Sequence, residues 1–146
     1  MTSAIQFVLA LGPAIALLSS AATAVEGPVG TWKLANGKVT VKIDYCTTDR
    51  LCGDIVALSK PLDKQGKPKV DRKNPNPDLQ ARPMIGLRVF SNMKPEGANS
   101  WSGKIYNADD GTTYRATAKL EGNKFVVKAC WTLFCKKIKF VRVAQP

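Results

Sequence analysis

Four cysteines, a run of oxygen donors between Asp71 and Asp78, an arginine beside a proline at Arg82 and the aromatic trio Trp101, Tyr106 and Tyr114 are the chemistry this chain offers, and it has no histidine at all. The missing imidazole removes the commonest general base and metal ligand. Cys46 and Cys52 sit at the ends of one turn, and Cys130 and Cys135 at the ends of another. Four cysteines allow three connectivities. The pairs Cys46–Cys52 and Cys130–Cys135 are favoured because each would staple a hairpin whose strands are already close. A tetrathiolate zinc site is the alternative, but the spacings lack the C-x2-C knuckles such sites use. With the thiols oxidised, carboxylates, serines, lysines and tyrosines remain, and none forms a nucleophile or phosphate-cradle signature. The expectation is a protein that is not an enzyme and carries no metal or cofactor.

Asp71, Asn74, Asn76 and Asp78 are interleaved with Pro75 and Pro77 in the segment from Asp71 to Leu87, which reads as neither strand nor helix. Prolines remove backbone donors and push the preceding residue toward extended geometry, so no helix survives there. The oxygens suit either a cation or the backbone donors of a tight loop. A calcium loop needs about six to eight oxygens and a turn-making glycine in a spacing this segment lacks, so the structural reading is preferred. Arg82 either clamps a loop carboxylate, Asp71 or Asp78, or faces a carboxylate or phosphate ligand; the internal clamp is preferred. Trp101, Tyr106 and Tyr114 flank the Asn107–Gly111 turn, where they either line a ligand-binding mouth or belong to the core.

These side chains need a scaffold, and the scaffold reads as β throughout. From Val29 onward apolar residues recur with period two, as in Val39, Val41, Ile43 and Tyr45, or Tyr114, Ala116, Ala118 and Leu120. Asn36-Gly37 and Glu121-Gly122-Asn123 signal tight hairpins. Gly53 to Leu58 is continuously apolar enough to be covered on both sides. A strand from Ile85 to Phe90 is expected to break at Lys94-Pro95-Glu96-Gly97, and Phe125, Val127, Ala129 and Trp131 continue one inward face. About eight strands joined mainly by short turns favour an all-β, up-and-down antiparallel barrel over a sandwich, because full closure leaves no bare strand edge. Eight strands enclose an interior that side chains can fill or that can hold one small ligand.

Residues 1–24 contain no charged side chain and end in Ala22-Thr23-Ala24 after an apolar run, the pattern of a secretory signal peptide. Gly12-Pro13 and the shortness of the run argue against a retained anchor, so no transmembrane segment is expected after cleavage. Residues 25–146 then form a single domain carrying the whole formal charge of +11, in a periplasmic or secreted location where disulfides persist. Such charge attracts anionic surfaces or simply keeps a small protein soluble. Nucleic acid is an unexpected partner for an exported chain.

Two patterns carry a resemblance. Gly30-Thr31-Trp32 with Arg142 near the end resembles the lipocalin signature, in which the arginine packs over the tryptophan and closes the barrel. Cys46, Cys52-Gly53-Asp54-Ile55-Val56, Asp71-Arg72-Lys73-Asn74-Pro75, Arg82-Pro83-Met84-Ile85-Gly86-Leu87, Trp101 to Asn107, Gly111-Thr112-Thr113-Tyr114 and Cys130 to Cys135 follow in order. This series resembles the exported bacterial family called domain of unknown function 2147 (DUF2147), except that Val141 stands where members usually have an aromatic before the final arginine. The resemblance implies a lipocalin-like (calycin-like) barrel and no established activity. Two functions are expected from these residues. One is binding of a small apolar or amphipathic molecule or lipid, with Arg82, Trp101, Tyr106 and Tyr114 as candidates. The other is an interaction with anionic lipid headgroups or cell-wall polymers through the basic surface. A hydrolase would instead rest on Asp71 and Asp78. Oligomeric state does not follow from the sequence.

Overall fold

Alternating side chains fold into eight strands, β1 (Gly30–Leu34), β2 (Val39–Tyr45), β3 (Leu51–Leu58), β4 (Arg88–Gly97), β5 (Ser100–Asn107), β6 (Thr112–Glu121), β7 (Lys124–Trp131) and β8 (Phe134–Arg142). The computed structural model describes residues 27–143, so the segment read as a signal peptide lies outside the described residues. Each strand pairs antiparallel with the next, and β8 returns to β1 through Trp32↔Arg142, Lys33↔Val141 and Leu34↔Phe140 to close the barrel. Up-and-down order places the β2–β3, β4–β5 and β6–β7 turns at the amino-terminal end. The β1–β2, β5–β6 and β7–β8 turns and the long β3–β4 connection lie at the other end, called here the loop end.

The inward parity is filled with rings. Trp32, Phe90 and Phe125 are buried, with Trp32–Phe125, Phe90–Phe125 and Phe90–Phe140 centroids 5.5, 6.1 and 5.6 Å apart, and Trp101 lies 5.9 Å from Phe125. Each such pair adds roughly 0.5–1.5 kcal/mol to the stabilisation from apolar burial. Val41, Ile43, Leu51, Ile55, Met93 and Val127 complete the core.

Local departures from the sequence reading have physical causes. Only Gly37 takes positive φ (75°) in the first turn, and the Asn36 side chain accepts from the Lys38 N–H at 3.0 Å, giving a longer turn than the two-residue hairpin expected. β3 is covered on one face only, since Val56 is exposed. β4 begins at Arg88 and runs through Pro95, which pairs with Trp101. Pairing of β4 with β3 ends at Leu51↔Met93, so beyond it one side of β4 has no strand partner and a residue without an N–H is tolerated.

Candidate functional site

Asp71 and Asn74 are the buried polar residues among those described, and Asp71 is 0% exposed. A buried carboxylate is costly unless its oxygens are satisfied. Here Oδ1 accepts from the Tyr106 hydroxyl at 2.6 Å, while Oδ2 accepts from Asn74 Nδ2 at 2.7 Å and from Arg82 Nε and Nη2 at 3.0 and 2.8 Å. Arg82 therefore takes the internal role, on Asp71 rather than Asp78, with both N–H groups on one oxygen because tyrosine holds the other. Its guanidinium also lies 5.8 Å from the centre of the Tyr106 ring. Burial pushes the Asp71 carboxyl up, but the bonds from Tyr106, Asn74 and Arg82, with the arginine's charge, together hold it below the usual carboxylate value. Burial and the bond to Asp71 raise the Tyr106 phenol.

The asparagine side-chain oxygens serve the loop itself. Asn74 Oδ1 accepts from the Asn76 N–H at 2.9 Å, and Asn76 Oδ1 accepts from the Asp78 N–H at 3.1 Å, capping a short 3-10 helix at Pro77–Leu79. Lys73 Nζ donates to the Asp109 carbonyl at 2.7 Å, and the loop backbone lies so close to Gly111 that a Cβ there would collide with the Lys73 carbonyl. These contacts draw the loop against the rim formed by β5, its turn and β6. A carboxylate so engaged is a poor general base, and the cluster reads as a lock.

Of the four aromatic and arginine candidates, Arg82 and Tyr106 meet at Asp71, and Trp101 and Tyr114 do not join them. Trp101 is buried toward the amino-terminal end, whereas Tyr106 and Tyr114 stand at the loop end on opposite parities of their strands. The Tyr114 hydroxyl donates to Asp110 at 2.6 Å, an interaction that raises the phenol and helps to lower the Asp110 carboxyl. At the amino-terminal end the Arg142 guanidinium lies 4.2 Å from the Trp32 ring centre and donates to the Val29 and Gly27 carbonyls. Gly30 is required beneath it, because its φ is +140° and a Cβ would strike the guanidinium. Cys46–Cys52 and Cys130–Cys135 are disulfides with S–S distances of 2.03 and 2.10 Å, one at each end of the barrel. That disposition excludes a shared tetrathiolate metal.

Two features escaped the sequence reading. A concavity of about 610 Å³ on the outer wall of β4–β7 is lined by Arg50, Lys94, Lys104, Arg115 and Lys128, with Ser102 and Thr117 between them; Arg50 pairs with Asp49 at 3.2 Å, and the Ser102 hydroxyl donates to Glu96. The wall bends where β4 shifts register between Ser91 and Lys94, with Asn92 at φ 51°. Gly103 admits that approach, since a Cβ would collide with the Ser91 and Asn92 carbonyls. A second concavity, about 250 Å³, lies on the wall around β2 and β3; its charges are neutralised by Lys42–Asp44 and by Arg88 on Asp54. Outward parity at Lys104 and Arg115 was readable in the sequence, but their juxtaposition required the register. The other missed feature is Trp131, assigned to the inward face yet 64% exposed, with Leu133 at 94% and Phe134 at 80%.

Fold and closure together define a lipocalin-like barrel. Among solved structures, protein HP1028 from Helicobacter pylori, described as belonging to the lipocalin family, is similar with a TM-score of 0.67 and 24% identity, over 84% of this chain and 86% of that one. The family model described as "Uncharacterized protein conserved in bacteria (DUF2147)" matches residues 30–142, and the chain belongs to that family. No curated protein matches it.

Proposed function

We propose that this chain is a non-enzymatic binding protein of the bacterial periplasm that holds anionic groups of envelope polymers in the outer-wall concavity of β4–β7. The observation that carries this reading is the cluster of Lys94, Lys104, Arg115 and Lys128 in the lining of that concavity, joined by Arg50, which is paired with Asp49. Lys104 stands directly opposite Arg115 across β5 and β6. Like charges in such a pair oppose folding by up to about 1 kcal/mol, a repulsion that an external counter-anion would relieve. Thr117 adds a hydroxyl for a phosphate or carboxylate oxygen, whereas the Ser102 hydroxyl donates to Glu96. The wide, shallow shape suits a segment of polymer better than an engulfed small molecule.

Binding of a small apolar molecule within the barrel, the other reading of this fold, has less support. Such a ligand would have to displace Trp32, Phe90 or Phe125, and losing one large aromatic from a core costs about 3–5 kcal/mol. The absence of histidine, the oxidised cysteines and the engaged state of Asp71 support a role without catalysis. Titration with poly(glycerol phosphate) and with polygalacturonate, followed by calorimetry at several salt concentrations, tests the groove and separates phosphate from carboxylate recognition. Binding that weakens with salt and falls at least about tenfold in Lys104→Glu/Arg115→Glu is expected. Affinity indifferent to both would overturn the proposal, and an apolar molecule recovered by solvent extraction would restore the interior reading.

A further inference from the structure

Two hairpins at the loop end outrun both strand neighbours: β5–β6, against which the long loop packs, and β7–β8. β8 pairs with β1 only through Phe140–Arg142, and β6 pairs with β7 no further than Arg115↔Cys130. Beyond those points the tip from Trp131 to Phe134 has no strand neighbour on either side among the described residues, only its own pair Trp131↔Phe134 above Cys130↔Cys135. A two-stranded ribbon without further support is marginal in water. The Cys130–Cys135 bridge lies at its base and holds it in shape. The bridge thus fixes in solvent a tip of Trp131, Leu133 and Phe134, which are 64%, 94% and 80% exposed.

We infer that this tip is a membrane-docking element that inserts into the surface of an anionic lipid bilayer. Immediately below the apex, Lys136 and Lys137 follow the disulfide and Lys128 stands opposite Lys137, all exposed. From Lys124 to Val143 the chain contains no carboxylate. At about 3.4 Å per strand residue, Lys136 and Lys137 lie roughly 7–14 Å behind Leu133 and Phe134, comparable to the roughly 5–10 Å to which apolar groups sink in interfacial binding. Tryptophan favours that boundary because its ring is apolar and its N–H can remain hydrated. Holding the three side chains in one rigid turn lowers the entropy lost when they leave water. The collar of lysines selects anionic headgroups over another apolar protein face. The inference goes beyond the groove reading and shares only Lys128 with it.

Trp131 supplies its own readout, since Trp32 and Trp101 are buried. Chain purified from the envelope fraction, mixed with vesicles of phosphatidylcholine and phosphatidylglycerol, should show a blue shift of Trp131 emission and quenching by brominated acyl chains. Vesicles of phosphatidylcholine alone should require several-fold more lipid. Leu133→Asp, at a position with nothing to disturb, should raise the lipid needed for half-maximal shift at least about tenfold while leaving thermal unfolding unchanged. Phe134→Ser should do the same to a smaller extent. An unshifted spectrum, or a shift that survives Leu133→Asp, would overturn the inference. So would lipid-free self-association abolished by Leu133→Asp in sedimentation, which would assign the tip to a second copy. Failure of the groove is seen separately, because soluble polymers report it and bilayer quenching does not.

Discussion

Two irregular regions at the loop end invert the ordinary rule of burial in opposite ways. The β3–β4 connection buries polar side chains, and the β7–β8 tip exposes apolar ones. Buried polar groups and clustered exposed apolar groups are the informative departures from a normal protein surface. The first is settled within the molecule, because every oxygen of Asp71 has a donor and no buried polar side-chain atom of the described residues lacks a partner. The second has nothing among the described residues to complete it: Leu133 and Phe134 are held exposed by a covalent bond across their base. The loop is accordingly a structural lock, while the tip is directed outward. Substitutions in the two places should separate stability from binding.

The largest effect belongs to the loop. Arg82→Met leaves a buried carboxylate with two neutral donors and should destabilise the fold by about 3 kcal/mol, seen as a fall of about 10 °C or more in unfolding temperature, with lipid-induced Trp131 emission changes retained. Proton linkage gives an independent check. Asp71 titrates below its unfolded value, so its contribution is full above about pH 4 and is lost as pH falls through the folded value. Tyr106 is raised, so its contribution is full below about pH 10 and is lost as pH rises through its folded value. The parent should therefore lose more stability on acidification below pH 4 than Arg82→Met does. Parallel curves for the two proteins would mean that the arginine is not what holds Asp71 ionised.

The two disulfides sharpen the contrast, because they close loops of nearly equal size, with sequence separations of 6 and 5. On the chain-entropy model each is worth about 2 kcal/mol. The Cys46–Cys52 turn is polar and self-bonded, with the Cys46 N–H donating to the Arg50 carbonyl at 2.9 Å, and Leu51 beside it is buried against the core. Replacing that pair with serines should cost close to the full amount in denaturant unfolding. Replacing Cys130 and Cys135 should cost less than about 1 kcal/mol, because the projecting ribbon can fray while the barrel stays folded. The same change should accelerate amide exchange at Trp131–Phe134 and weaken vesicle-induced Trp131 emission changes. Equal losses of global stability would show that the tip is integrated with the barrel after all.

Much of the barrel was legible because alternation is local: a period of two can be read within one strand, and the closure by Trp32 and Arg142 rests on residues of unmistakable type. The interior of β5 through β7 follows directly from Trp101, Ile105, Ala116, Ala118, Phe125 and Val127. What could not be read depends on partners distant in sequence. Tyr106 meets Asp71 across 35 residues, and nothing near either one announces the other. Lys104 and Arg115 become one site only through register. Trp131 obeys the inward parity of β7, but its neighbours end before it does, and strand length relative to a neighbour is invisible in a single strand's pattern. Pro95 misled in the same manner, since its tolerance depends on where β3 stops.

The smallest effect concerns the apex. Thr132 has φ 52°, a region that β-branched residues rarely occupy, and it lies in the exposed tip. Strain of this kind persists where the surroundings require it, and here the disulfide and the Trp131↔Phe134 pair fix the turn around it. Glycine and asparagine both accept the conformation, but only glycine also loosens the chain. Thr132→Asn should therefore slow local exchange at the tip by relieving roughly 0.5–1 kcal/mol, with lipid affinity kept or slightly raised. Thr132→Gly should gain less protection and bind vesicles more weakly, because a freer tip gives up more entropy on insertion. If glycine bound as tightly as asparagine, rigidity would not be what the disulfide contributes to docking, and the bridge would have to act through stability alone.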